Sequence, residues 1–168
     1  LWGYENLGVE PDIFTSAKGL AGGVPIGAMM CKKFCDVFEP GNHASTFGGN
    51  PLVCAAGLTV LKTIEQDHLL ENVCERGEQL RSRLKELATK YSPLFTDVRG
   101  WGLINGMEIS ADSDITSIEI VNAALTEGLL LAPAGPKVLR FVPPLIVSEV
   151  EVEKAMILLD KAIAKVKG

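Results

Sequence analysis

Ten of the chain's 17 glycines fall within residues 1–61, and several of them crowd into the connection between two short apolar segments. Residues 12–17 predict a buried strand that runs into Lys18, and residues 26–31 predict a second strand. Between the two strands, three glycines and a proline impose turns. The pattern therefore places this connection, with its single lysine, at the end of a sheet.

The rest of the chain alternates helical and strand patterns. Asn50-Pro51 predicts a capped helix start, and apolar residues at a 3.6-residue period predict an amphipathic helix over residues 69–91. Residues 98–109 predict a bent strand pair around Gly100-Trp101-Gly102, with the indole packed. Two helices with capping boxes are predicted, one over residues 116–127 with Thr116 and Glu119 and one after Ser148 with Glu151. Further strands are predicted at residues 129–131 and 138–142. The order indicates a piece of an α/β sheet that is followed, from about residue 70, by a small α+β module.

Composition and charge exclude several classes of protein. The chain has 168 residues, is 47% hydrophobic and 22% charged, and is therefore neither disordered nor collagenous. Its net charge of −5 divides into −2 for residues 1–61 and −3 for the remainder, with no basic block. This distribution predicts no nucleic-acid partner and no membrane partner.

The four cysteines show no metal-ligand spacing, so no metal site is predicted. Without a secretory signal, we expect reduced and mostly buried thiols in a cytoplasmic protein. The longest uncharged run, residues 40–61, begins with polar and glycine residues and does not supply a membrane span.

Lys18 is the first candidate functional residue. It follows an uncharged strand and precedes thirteen uncharged residues. We expect partial desolvation of its ammonium, which would lower its pKa and expose a nucleophilic amine of the kind that Schiff-base chemistry requires. The alternative is an ordinary solvated surface lysine.

Two further positions are candidates for anion binding. Ser45 and Thr46, with the glycines that follow, precede the predicted helix start and offer hydroxyl and N–H donors that suit a phosphate. The alternative there is a capped helix with a flexible lead-in. Arg140 lies within an otherwise apolar strand and suits a substrate carboxylate, or else it is an outward-facing or ion-paired strand residue.

Three separated motifs resemble those of the class III aminotransferases, which are pyridoxal 5'-phosphate enzymes. The motifs are residues 11–28 around Lys18, residues 45–52, and the group formed by residues 128–130, 134–136 and 139–145. The last group is most similar to the branch of the family that acts on acetylornithine. The resemblance implies fold type I, with residues 1–68 as the C-terminal part of the large domain that binds pyridoxal phosphate and residues 69–168 as the small C-terminal α+β domain.

The resemblance also implies roles for four residues. Lys18 would form the Schiff base with the cofactor and then act as the general base that moves the substrate proton. Thr46 would hydrogen-bond the cofactor phosphate, typically that of the neighbouring subunit in this family, which implies a homodimer with a shared active site. Ser45 would lie beside the substrate, and Arg140 would bind the α-carboxylate of the amino acid and of 2-oxoglutarate.

The implied reaction transfers an amino group from N2-acetyl-L-ornithine to 2-oxoglutarate, a step of arginine biosynthesis. Ornithine, succinylornithine, succinyldiaminopimelate and 4-aminobutyrate stay open as donors, as do a non-catalytic assembly or regulatory domain and a phosphate-binding module. The chain resembles only the C-terminal part of the family. The family's acidic partner for the pyridine nitrogen is missing from it, so we expect the chain alone to be inactive.

Overall fold

The apolar segments on either side of Lys18 form the two predicted strands, and these pair with each other antiparallel. In the computed structural model, which describes all 168 residues, these strands are β1 (Ile13–Ser16) and β2 (Ala28–Cys31). Ile13 lies opposite Cys31 and Ser16 opposite Ala28, so the glycine-rich connection closes the pair at one end.

Helix α1 (Pro51–Gln66) begins where Asn50 predicts it. The Asn50 side-chain oxygen accepts hydrogen bonds from the N–H groups of Leu52 at 3.1 Å and Val53 at 3.2 Å. Pro51 occupies the first helical position, where its missing N–H leaves no donor unpaired. The chain divides after this helix into two units, Leu1–His68 and Leu69–Gly168.

The second unit contains three helices and a four-stranded antiparallel sheet in the order β3-β4-β6-β5. Its elements are α2 (Leu69–Lys90), β3 (Phe95–Trp101), β4 (Ile104–Ile109), α3 (Ser117–Thr126), β5 (Ala132–Pro133), β6 (Val138–Phe141) and α4 (Glu149–Lys167). The predicted capping boxes are confirmed at α3 and α4, where Glu119 and Glu151 accept the backbone N–H of Thr116 and Ser148.

One face of this sheet packs into the core. Met107 and Leu139 are fully buried, and Phe141 is 4% exposed. The apolar stripes of α2 and α4 complete the core, with Leu84 and Leu159 wholly buried. Because side chains alternate along a strand, the residues between these positions lie on the opposite, open face of the sheet.

Three predictions about this region and the cysteines are wrong. Residues 129–131 form no strand, because Leu129 and Leu131 pack against the core while only Ala132 and Pro133 pair with β6. The bend between β3 and β4 is confirmed, but the Trp101 indole is 57% exposed because it lies at the tip of that bend. All four cysteines are free as expected, yet none is buried, since they lie on outward-facing positions of their elements. None of the helices combines the length and apolar character that crossing a bilayer requires.

Candidate active site

Lys18 directly follows β1 and occupies a strained backbone conformation. Its φ is 55°, and His68 is the only other non-glycine residue with a positive φ. A left-handed conformation costs a residue with a side chain about 1–2 kcal/mol. Such strain persists where the surroundings impose it and is concentrated at functional sites. The backbone conformation at position 18 would therefore favour glycine, yet the residue there is a lysine.

The ammonium of Lys18 is exposed to solvent and makes no hydrogen bond or ion pair within the chain. The desolvation predicted from the uncharged sequence is therefore not found within these 168 residues. The physical reason is that Gly19, Gly22 and Gly23 carry no side chains that could cover the amine. Uncharged sequence neighbours therefore do not by themselves shield a lysine amine from solvent.

Lys32, at the far end of the same strand pair, is bound very differently. Its Nζ lies 3.0 Å from Asp12 Oδ1 and 3.3 Å from Glu10 Oε1. These contacts raise the pKa of Lys32, chiefly through the hydrogen bond to Asp12 and next through that to Glu10. The two carboxylates nearest β1 are thus committed to Lys32, which leaves Lys18 without a counter-ion of its own.

The loop before α1 is organised by its own side chains. The N–H of Gly48 donates to Ser45 Oγ at 3.0 Å, and Asn50 Nδ2 donates to the carbonyl of Phe47 at 2.8 Å. A Cβ at Gly48 would lie 2.7 Å from Ser45 Oγ, so glycine is required for this close approach. The loop therefore presents its hydroxyls in a turn that is closed by internal hydrogen bonds.

The first N–H groups of α1 are already bound within the chain. Asn50 accepts the N–H groups of Leu52 and Val53 with its side chain and that of Cys54 with its carbonyl. The predicted cap of this helix is therefore confirmed. Both hydroxyls of the loop stay available as donors: Thr46 makes no hydrogen bond within the chain, and Ser45 accepts one but donates none.

Arg140 lies on the open face of the sheet in the second unit. It stands opposite Gly106 on β4 and Ala132 on β5, while its strand neighbours Leu139 and Phe141 point into the core. No carboxylate of the chain pairs with its guanidinium. Arg140 is thus an outward-facing strand residue without an ion pair in the chain, and its guanidinium is available to an external carboxylate.

Arg99 lies in the same row of the sheet, on the other side of Gly106. Its Nη1 donates to Asp97 at 2.7 Å and to Glu108 at 2.5 Å. The two carboxylates raise the pKa of Arg99, Asp97 more than Glu108. Of the two arginines in this row, only Arg140 is free to bind an external anion.

The structure brings some of the predicted residues together and leaves others apart. Ser45 and Thr46 share one loop, and Lys18 lies in the same unit without a hydrogen bond to either of them. Arg140 belongs to the other unit. Sequence reasoning missed that Lys32 and Arg99 each bind two carboxylates. The signal that could have revealed this was a pair of acidic residues in or beside the same or the neighbouring strand, Glu10 and Asp12 for Lys32 and Asp97 and Glu108 for Arg99.

Comparison with known proteins decides the family. Residues 1–163 match the family model described as Aminotransferase class-III. The chain belongs to this family.

Curated relatives are named acetylornithine aminotransferase. This chain is 77% identical to the one from Synechocystis sp., over 98% of the chain and 38% of the relative, and 66% identical to the one from Nostoc sp., over 99% and 39%. The chain thus spans about 40% of the length of the curated relatives it matches.

Solved aminotransferase structures share the fold. The acetylornithine aminotransferase from Elizabethkingia anophelis superposes with a TM-score of 0.87 at 32% identity, covering 96% of this chain and 43% of that structure. An ornithine aminotransferase from Toxoplasma gondii gives a TM-score of 0.88 at 31% identity, covering 98% and 39%. The chain therefore has the fold type I architecture that its sequence motifs implied.

Proposed function

We propose that these 168 residues are the C-terminal portion of an acetylornithine aminotransferase, which transfers an amino group from N2-acetyl-L-ornithine to 2-oxoglutarate. The observation that carries the proposal is the 77% identity to the Synechocystis enzyme along 98% of the chain. Residues 1–68 are assigned to the large domain and residues 69–168 to the small one, in agreement with the division of the chain at His68.

The chemistry of the available donors fits pyridoxal 5'-phosphate. Lys18 offers a primary amine without a counter-ion, and Thr46 offers an uncommitted hydroxyl for a phosphate oxygen. The Toxoplasma gondii ornithine aminotransferase is described with partial occupancy of this cofactor at its active site. When bound, the cofactor acts as an electron sink for the negative charge that develops at the substrate carbon. We assign Lys18 and Thr46 to its attachment.

Lys18 has a second role in the proposal, because a primary amine can carry a proton to and from a neighbouring carbon. Its strained backbone position fixes where the side chain starts, at the end of β1. A positioned base of this kind contributes a factor of about 10²–10⁴ to a proton-transfer step.

Arg140 binds the α-carboxylate of each substrate in the proposal. A guanidinium donates two parallel hydrogen bonds to a carboxylate, and Arg140 has no competing carboxylate within the chain. Ser45 lies next to Thr46 and keeps its hydroxyl proton free to donate, so we assign it to the substrate side of the loop.

The loop also supports a homodimeric assembly with a shared active site. Phe47 is 81% exposed and Leu52 is 74% exposed, and both lie within six residues of Thr46. Large apolar side chains around a functional hydroxyl are typical of a surface that a partner covers. The four free thiols agree with a cytoplasmic location, where cysteines stay reduced.

Ornithine is the second candidate donor, because several of the similar solved structures are ornithine aminotransferases. The decisive experiment measures kcat/KM for acetylornithine, ornithine and 4-aminobutyrate with the full-length protein that contains this chain. We expect acetylornithine to be preferred. A higher kcat/KM for either of the other donors would contradict the proposed substrate.

A variant pair tests the residue that carries the chemistry. In Lys18→Ala we expect turnover to fall by about 10²-fold or more and the visible absorption band of lysine-linked cofactor to disappear. Lys33→Ala is the matched control, since Lys33 is also exposed and lies in the same unit. Retention of the band in Lys18→Ala, or its equal loss in both variants, would contradict the assignment of Lys18.

A further inference from the structure

Two arginines and a glycine share one row on the open face of the four-stranded sheet. Arg99 on β3 lies opposite Gly106 on β4, which lies opposite Arg140 on β6. Residues directly opposite each other in antiparallel strands project from the same face, with Cβ atoms about 5 Å apart. The glycine is therefore a gap in the sheet surface between two guanidinium-bearing positions.

The fold gives no strong reason for a glycine at this position. Gly106 does not have a positive φ, so its backbone conformation is open to residues with a side chain. A Cβ built there would meet only Val138 Cγ1 at 3.3 Å and the Leu139 carbonyl oxygen at 4.0 Å. The nearer of these atoms is the end of a side chain, which can shift by a few tenths of an ångström.

The neighbouring glycines of the same bend are different. Gly102 has a φ of 51°, and a Cβ there would lie 2.8 Å from Val73 Cγ1. At Gly100 a Cβ would lie 2.3 Å from Asn105 Oδ1. Both positions require glycine for structural reasons, whereas Gly106 does not.

The charges around the gap favour one kind of ligand. Arg99 holds both Asp97 and Glu108, so its positive charge is more than neutralised on that side. Arg140 borders the gap on the other side without a partner. No atom of the Arg140 side chain lies within 4 Å of the Cβ position of Gly106, so that side chain does not fill the gap. The unpaired guanidinium of Arg140 is the group in this row that would attract a small carboxylate.

We infer that Gly106 is a specificity-determining position: the absence of a side chain there keeps open the space in which the substrate carboxylate meets Arg140. The inference rests on the proposed role of Arg140 in carboxylate binding. It predicts that bulk at position 106 impairs the binding of substrates with an α-carboxylate and leaves intact the reaction of amines without one.

The test uses Gly106→Ala and Gly106→Val in the full-length protein. For Gly106→Val we expect KM for 2-oxoglutarate, and the dissociation constant of the unreactive dicarboxylate glutarate, to rise by about 10- to 100-fold. Gly106→Ala should show a smaller rise in the same direction. The half-reaction with 1,4-diaminobutane, which is ornithine without its carboxylate, should keep its single-turnover rate in both variants.

Two controls separate this inference from the proposed function. Ala111→Val adds bulk at an exposed turn after β4 and should change neither KM nor the thermal midpoint. Arg140→Ala should raise KM for 2-oxoglutarate. If Arg140→Ala raises KM and Gly106→Val does not, the inference is wrong and the role of Arg140 stands.

If Arg140→Ala leaves KM unchanged, the role of Arg140 is wrong and the inference is overturned with it. A loss of the 1,4-diaminobutane reaction equal to the loss of the 2-oxoglutarate reaction also overturns the inference. So does a large fall in the thermal midpoint of Gly106→Ala, since Gly106 would then be required by the fold.

Discussion

The two units of the chain differ in how much of their apolar surface they bury. Of the 21 buried hydrophobic residues, only Ala21 and Val53 belong to Leu1–His68, and the other 19 belong to Leu69–Gly168. Yet the shorter first unit carries 11 of the 22 large hydrophobic side chains that are exposed. The second unit has a core of its own, whereas the first is built from a two-stranded sheet, short turns and one helix.

This difference explains the state of the candidate residues. A two-stranded sheet is marginally stable by itself and cannot enclose a side chain. Lys18 therefore stays exposed although its sequence neighbours are uncharged. Arg140 lies on a well-supported sheet, and it is exposed because its face of the sheet has no covering layer among these residues.

The two units treat cations in the same way despite that difference. In each, a cation on a strand is held by two carboxylates, Lys32 in the first unit and Arg99 in the second. In each, another cation of the same sheet region has no counter-ion: Lys18 at the other end of the strand pair in the first unit, and Arg140 in the row of Arg99 in the second. Both of these unpaired cations are residues that the proposed function uses.

Hydrogen exchange gives the largest expected contrast between the units. In the 168-residue chain we expect the core amides of α2 and α4 to exchange at least about 10³ times more slowly than those of α1, because opening α1 exposes little buried apolar surface. The measurement is amide exchange followed by NMR or mass spectrometry. Equal protection in α1 and α4 would show that the two units unfold together and would remove the basis of the comparison.

A matched pair of glycine substitutions gives the next largest effect. Gly77 in α2 and Gly57 in α1 are both buried helical glycines. A Cβ at Gly77 would lie 2.4 Å from the Gly102 carbonyl oxygen, so Gly77→Ala should destabilise the second unit by about 1–3 kcal/mol.

At Gly57 the nearest atom to a Cβ is the Leu20 carbonyl oxygen at 3.6 Å, an ordinary contact. Gly57→Ala should therefore be neutral or stabilise its helix by up to about 1 kcal/mol. Urea unfolding monitored by circular dichroism measures both. The same sign of change in the two variants would mean that the helices are packed with similar closeness, contrary to the structure.

The smallest effect concerns a surface charge pair of the second unit. Lys90 Nζ lies 2.6 Å from Asp160 Oδ1, and the Tyr91 hydroxyl donates to the same oxygen at 2.7 Å. The hydrogen bond from Lys90, more than that from Tyr91, lowers the pKa of Asp160 below its ordinary value of 3.8. The stabilisation is thus fully present above about pH 4 and is lost as the pH falls through 3.8 towards the lower folded-state pKa.

Asp160→Asn should accordingly cost less than about 1 kcal/mol at pH 7, since the pair is partly solvated, and should flatten the decline of stability below pH 4. Thermal unfolding between pH 7 and pH 2.5 is the measurement, with Asp112→Asn as the control at an exposed carboxylate. If both variants keep the wild-type pH profile, surface pairs contribute nothing to the difference between the units and the core accounts for all of it.

Much of the secondary structure could be predicted because its causes are local. Asn50 caps α1 through the two residues that follow Pro51, and Ser148 and Glu151 cap α4 within a single turn. The prediction was wrong where an apolar segment is buried in the core but does not pair with another strand. The leucines at 129–131 are apolar because they contact the core, and a strand pattern alone cannot distinguish that contact from membership of a sheet.

By itself the sequence determined the order of the elements, the helix ends and the family motifs, because each depends on residues within a few positions of one another. Tertiary structure alone decided which cations are neutralised and which side chains are covered. Arg99 meets Glu108 across a strand pair, and Gly106 meets Arg140 from a strand more than thirty residues away. The register between strands that are distant in sequence determines which residues become neighbours. Local conformational preferences of the chain do not determine that register.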